Sequence, residues 1–215
     1  LTSKVDFSKY PHLQYTSIAA TGIAVQNGHM LVSGGYTLYD QTLQTDKSIT
    51  GMYQTLWTDG VEKVLLHTGN FNLINSVGLA VAGNDVYIPA LVPPAAGGTS
   101  NIGGYWKNGT WNTLNDGQFF PTAVYTSGND VYYIGETRSG SAFNPITQPV
   151  YIKNGTINIP DKGMTFIFSM TANGADSYLL GFDSTNHYSI WKNGKQVATL
   201  GTNQQMYLYC LAVGK

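Results

Sequence analysis

Short runs of apolar and aromatic residues, separated by Asn-Gly, Asp-Gly or Gly-Asn pairs, recur along the 215-residue chain. Four separators share one context: Trp57-Thr58-Asp59-Gly60, Trp106-Lys107-Asn108-Gly109, Ile152-Lys153-Asn154-Gly155 and Trp191-Lys192-Asn193-Gly194, their glycines 49, 46 and 39 residues apart. Each leads into another short run: Val61–Leu66, Thr110–Leu114, Thr156–Ile159 and Lys195–Leu200. This pattern predicts two-residue hairpins, because a type I′ turn needs positive φ at both central residues and Asn, Asp and Gly tolerate it best. A second set of turns keeps step with the first: Asn27-Gly28, Gly83-Asn84, Gly128-Asn129 and Asn173-Gly174. They precede His29–Gly35, Asp85–Leu91, Asp130–Gly135 and Asp176–Phe182. No window sustains a 3.6-residue apolar period, so helix is expected to be nearly absent.

Each repeat therefore reads strand, tight turn, strand, longer connection, strand, tight turn, strand. Four antiparallel strands in about 40–50 residues match the blade of a β-propeller. The expectation is an all-β chain in one domain: a β-propeller of four-stranded antiparallel blades, with four complete repeats plus a partial fifth. The repeats fall at about 17–67, 76–114, 122–159 and 166–200. Their expected innermost strands are Ser17–Val25, Ser76–Val81, Thr122–Thr126 and Phe166–Ala172. Residues 1–16 form an N-terminal closing segment, and 206–213 an extra innermost strand, because Leu211-Ala212-Val213-Gly214 echoes Leu79-Ala80-Val81-Ala82-Gly83. Trp57, Trp106, Ile152 and Trp191 hold one repeat position, which assigns them to packing between blades rather than to ligand stacking.

Charge narrows the function. Lys plus Arg number 11 and Asp plus Glu 12, with Arg138 the single arginine, so the net charge is −1 and no nucleic-acid partner is expected. No apolar run reaches the ~18 residues of a transmembrane segment. The lone Cys210 lies in an apolar run and reads as a small buried side chain. The four histidines show no metal-ligand spacing, so neither metal nor cofactor is expected. Low charge with many Tyr, Thr, Asn and Gly suits a secreted or surface-displayed protein, and a start at Leu1 suits a mature or trimmed chain.

The recurring Gly-Asn-Asp-Val-Tyr, followed by Trp/Ile-Lys-Asn-Gly, resembles the WKNG-type repeats of secreted and surface-lipoprotein propellers of bacteria. The resemblance covers residues 17–213 and implies an extracellular or cell-surface anchored setting, with no assigned activity. The repeat length also resembles, more weakly, the five-bladed tachylectin lectins. No binding role passes to the Lys-Asn-Gly residues, which belong to the fold pattern.

In a propeller, the connections between second and third strands and those between blades converge on one face. Here they are Tyr36–Thr50, Val92–Gly104, Glu136–Pro149 and Asp183–His187, together with His67–Asn75, Asn115–Thr122, Pro160–Thr165 and Gly201–Gln205. Connections longer than a hairpin needs are where binding residues gather. The candidate ligand-binding residues are Phe71, Asn72, Gln118, Phe119, Phe120, Arg138, Phe143, His187 and Gln204. Aromatic faces stack on the C–H faces of sugars while amides donate and accept hydrogen bonds, so the partner is a glycan, or a protein, on this loop face. The competing role for Phe119 and Phe120 is to plug the channel or the gap between blades.

A catalytic reading is weaker. A carbohydrate hydrolase or lyase would draw on Glu136, Asp116 or Asp183, and no paired-carboxyl signature or nucleophile elbow accompanies them. Asp85, Asp130 and Asp176 recur beside turns, where they stabilise turn geometry. A third reading is an architectural spacer within a surface assembly. Asn108-Gly109-Thr110 and Asn154-Gly155-Thr156 match the N-glycosylation sequon, but turn chemistry accounts for both.

Overall fold

The computed structural model describes residues 13–40, 49–68, 77–94, 100–141, 144–161 and 163–202. Sixteen strands fill them: β1 Leu13–Gln26, β2 His29–Asp40, β3 Ile49–Thr58, β4 Val61–Thr68, β5 Ala80–Ala82, β6 Asp85–Val92, β7 Ile102–Lys107 and β8 Thr110–Thr113, then β9 Phe119–Ser127, β10 Asp130–Ser141, β11 Asn144–Lys153, β12 Thr156–Asn158, β13 Met164–Asn173, β14 Asp176–Asp183, β15 His187–Lys192 and β16 Lys195–Thr202. They form four four-stranded antiparallel sheets, each built from four consecutive strands. One 3₁₀ turn, Asn115–Gly117, is the only helical element among the described residues. No helix there is long and apolar enough to cross a membrane.

The sheets follow one another in a propeller-like arrangement. First strands pack in succession, β1 on β5, β5 on β9 and β9 on β13. Each sheet presents one apolar face to the next. Leu31 and Leu56 meet Val86, Ile88 and Trp106; Ala80 and Ala82 meet Val124, Tyr133 and Ile152; Tyr132, Ile134 and Tyr151 meet Met170, Leu179 and Trp191. The repeated Trp57, Trp106, Ile152 and Trp191 are all buried, as their repetition implied.

The turns divide into two kinds. Asn27-Gly28, Asp59-Gly60, Asn108-Gly109, Asn154-Gly155 and Asn193-Gly194 have positive φ at both residues, the type I′ pattern. Gly83, Gly128 and Gly174 are positive while the residues after them are not, which is the pattern of a type II′ turn with glycine first. The last of these centres on Gly174-Ala175, one residue beyond the expected Asn173-Gly174, because Asn173 pairs with Asp176.

A side-chain clamp joins the two kinds of turn. Asn108 Oδ1 accepts the Val86 N–H at 2.9 Å, and its Nδ2 donates to Asp85 at 2.7 Å. Lys107 pairs with the same carboxylate at 2.8 Å and lies over the Tyr87 ring. Asn154, Asp130, Lys153 and Tyr132 repeat the arrangement, as do Asn193, Asp176, Lys192 and Tyr178. Lysine first, then asparagine, holds each aspartate below the usual carboxylate range. In the first sheet the polarity is exchanged: Asp59 takes the asparagine position, accepts the Met30 N–H at 2.8 Å and faces His29 Nδ1 at 2.6 Å. Both sequons lie in these clamps, where the Asn108 and Asn154 amides are already committed to Asp85 and Asp130.

Several expected boundaries move: Tyr36–Asp40 and Phe119–Thr122, expected in connections, belong to β2 and β9. Leu13–Tyr15, assigned to the closing segment, continue β1 and pair with Leu38–Asp40. Glu136–Pro149, expected as a loop, is mostly the extended hairpin β10–β11, paired from Glu136↔Pro149 out to Ser141↔Asn144. Its two prolines and run of small polar residues conceal strand alternation that backbone pairing nevertheless sustains. The remainder of the closing segment and the extra strand 206–213, with Cys210, lie outside the described residues.

Aligning the repeats exposes one irregularity between sheets. Trp106 Nε1 donates to Gln54 Oε1 of the preceding sheet at 2.9 Å, and Gln54 Nε2 donates to the Leu91 carbonyl at 3.0 Å. The residue matching Gln54 in the third sheet is Pro149, and the fully buried Trp191 Nε1 has no partner among the described residues. An unsatisfied buried donor costs about 1–3 kcal/mol. Gln54→Ala should therefore lower stability by about that amount in urea unfolding. Pro149→Gln should raise it by about 1 kcal/mol, since glutamine restores the acceptor.

Candidate functional site

The Asn-Gly, Asp-Gly and glycine-first turns lie at one end of the sheets, and the connections between second and third strands at the other. The strand registers define what that loop end carries. In β10, Tyr132 and Ile134 face the fourth sheet, and regular alternation sets Glu136 and Arg138 on the same side, with Phe120 opposite Glu136. In β14, Leu179 faces the third sheet, and alternation sets Asp183 on that side, together with Ser189 on β15. The seam between third and fourth sheets is thus apolar in its interior and polar toward the loop end.

On the third-sheet wall, the Arg138 guanidinium stacks on the Phe120 ring, 4.3 Å from its centroid. Its Nε and Nη2 both reach Glu136 Oε1, at 2.7 and 2.5 Å. The Arg138 backbone N–H donates to the Gln118 carbonyl at 3.3 Å, tying the strand to the 3₁₀ turn beside it.

On the fourth-sheet wall, Asp183 is only 7% exposed and is surrounded by donors. Thr185 Oγ1 donates at 2.6 Å, the N–H groups of Thr185 and His187 at 2.9 and 3.0 Å, and Ser189 Oγ at 3.0 Å. Gln196 Nε2 adds a longer contact at 3.4 Å and bonds Ser189 Oγ at 3.0 Å. Burial works to raise this carboxyl, but the hydrogen bonds, led by the Thr185 hydroxyl, outweigh it and hold the group well below the usual carboxylate range. Thr185 Oγ1 also lies 2.6 Å from His187 Nδ1. With the Thr185 proton given to Asp183, Nδ1 is the donor to Thr185 Oγ1.

These polar residues depart from the repeat. The positions matching Asp183 are Tyr36, Val92 and Thr137, and those matching His187 are Tyr53, Ile102 and Gln148. Gly35, Leu91 and Phe182 match Glu136. The turn-end clamps recur because they serve the scaffold, whereas the loop-end set belongs to this seam.

Four of the residues singled out from sequence belong to this end: Phe120 and Arg138 on the third-sheet wall with Gln118 exposed beside them, and His187 on the fourth-sheet wall. Phe120 is not an open stacking platform, since Arg138 covers a face of its ring. Phe119 is fully buried in the core with Leu114, Val124 and Tyr133, so it offers no surface to a ligand. Phe71, Asn72, Phe143 and Gln204 lie outside the described residues. Sequence reasoning missed Ser189 and Gln196, which read as ordinary strand residues until the register sets Asp183 among them.

A second aromatic arrangement appears on the first sheet, where Tyr36, Tyr53 and His67 stack across β2, β3 and β4 with centroids 4.7 and 4.4 Å apart. Gly51 makes this possible, because a Cβ there would lie 2.6 Å from His67 Nε2. Among the described residues no group of three or more His, Cys, Asp or Glu is arranged to hold a metal ion.

The class these features define is an all-β repeat protein of four-stranded sheets with one chemically distinct seam. No protein-family model matches the chain, and no curated protein matches it.

Proposed function

We propose that this chain is a non-catalytic binding propeller, extracellular or anchored at a bacterial cell surface, that engages a glycan or a protein through its loop end. The observation that carries the reading is the concentration of non-repeating polar residues, with a cation stacked on an aromatic ring, at the loop end of a single seam. A scaffold without a ligand has no physical reason to give up apolar packing there, because each buried polar group needs partners of its own. A hydrolase or lyase is less well supported. A general acid needs a raised pKa, whereas Asp183 is shifted the other way and Glu136 is engaged by Arg138. Binding to a broad glycan array and to extracellular proteins tests the proposal, and silence on both overturns it.

The proposal extends to a closed ring with a partial fifth blade. The positions matching Ile23 in the later sheets are Leu79, Val124 and Met170, each packed in a seam with the sheet before it. Ile23 itself is 68% exposed, with Val25 and Met30 beside it on the same face. A further sheet against that face would complete the pattern, and Leu211-Ala212-Val213-Gly214 repeats the innermost-strand sequence. Ile23→Asp should then destabilise the protein by about 2 kcal/mol, the value of a buried aliphatic side chain. An unchanged melting temperature would show that nothing covers the face.

A further inference from the structure

We infer that the loop end of the third–fourth seam selects neutral, hydroxyl-rich ligands over acidic ones, with the Arg138–Glu136 pair determining the specificity; the inference rests on the glycan-binding reading above. Among their described residues the two walls carry two carboxylates, Glu136 and Asp183, and one guanidinium, that of Arg138, which is paired with Glu136. The described clamp lysines Lys107, Lys153 and Lys192 are tied to aspartates at the turn end. An incoming carboxylate, sulfate or phosphate would meet two like charges, while the single cation is already compensated by Glu136.

Neutral hydroxyls fit the same groups. Of the five guanidinium N–H donors, Glu136 takes two, leaving three for ligand oxygens. The Glu136 carboxylate beside them accepts hydroxyl protons. A vicinal diol matches this set, since one hydroxyl can accept from Arg138 while its neighbour donates to Glu136. The stack on Phe120 and the bonds to Glu136 restrain the fork before a ligand arrives, which lowers the entropy cost of binding.

Titration at low salt of the full chain with neutral gluco- and manno-oligosaccharides, and with oligogalacturonates, separates the outcomes. The wild type should bind a neutral series at least tenfold more tightly than the acidic one. Arg138→Lys keeps the charge but not the planar fork and should lose about tenfold for the neutral series. Glu136→Gln frees the guanidinium and should narrow or invert the preference. Melting curves confirm that each variant is folded, as expected for side chains at the rim. Tighter binding of the acidic series by wild type, or an unchanged preference in Glu136→Gln, overturns the selectivity and leaves glycan binding standing. Absence of binding to both series overturns the glycan reading together with it.

Discussion

Asp183→Asn is expected to lower the stability of the protein by about 3 kcal/mol, or roughly 10 °C in melting temperature. The carboxylate is buried and accepts from Thr185, His187 and Ser189, with Gln196 further off. An amide presents one oxygen where the carboxylate presents two, and it points an NH₂ at groups that are already donors. The aspartate also links stability to pH. Its folded-state pKa is depressed, so its contribution is complete above the unfolded value of about 4 and is lost as pH falls through that value toward the folded one. The wild type should lose stability on acidification in that window, and Asp183→Asn should show a shallower decline. Urea unfolding at neutral pH and at about pH 3 measures both effects; equal slopes for the two proteins would remove Asp183 from the acid response.

Gly103→Ala should be the most damaging single-methyl change in the second sheet, costing about 3 kcal/mol or more. A Cβ on Gly103 would overlap the Phe119 carbonyl where β9 crosses β7. The obstacle is backbone, so no rotamer change relieves it, and the two strands must separate or tilt. Positions matching Gly103 carry Gln54, Pro149 and Tyr188, which shows that the repeat itself does not require glycine. The requirement comes from Phe119, whose buried ring draws its own main chain against β7. Thermal unfolding of Gly103→Ala measures the cost, and a loss under about 1 kcal/mol would mean that β9 yields easily.

Turn chemistry made the strands readable in advance, because Asn-Gly and Asp-Gly have few alternatives to a type I′ corner. The tryptophan positions were readable as packing for a similar reason: a bulky ring repeated at one strand position has only one place to go. Glu136–Pro149 was not readable, because strand pairing there is sustained by backbone bonds while Pro145, Pro149 and the Thr-Arg-Ser-Gly-Ser run blur the alternation. Phe119 and Phe120 could not be told apart while they lay in an assumed loop. Once β9 begins at Phe119, neighbouring side chains must take opposite faces, one toward the core and one toward the seam. The seam itself depends on which faces of two distant sheets meet, and no local pattern carries that information. A position-by-position comparison of the repeats does carry it, by marking Asp183 and His187 as departures.

The exchanged corner of the first sheet bears on how such a chain can diversify. His29 and Asp59 sit on different hairpins, 30 residues apart, and meet across the corner. Copying one hairpin from a later sheet would set Asn beside His29, or Asp59 beside a second aspartate. A hybrid joined between a second and a third strand would therefore exchange this exposed corner pair, while one joined between whole sheets would keep it.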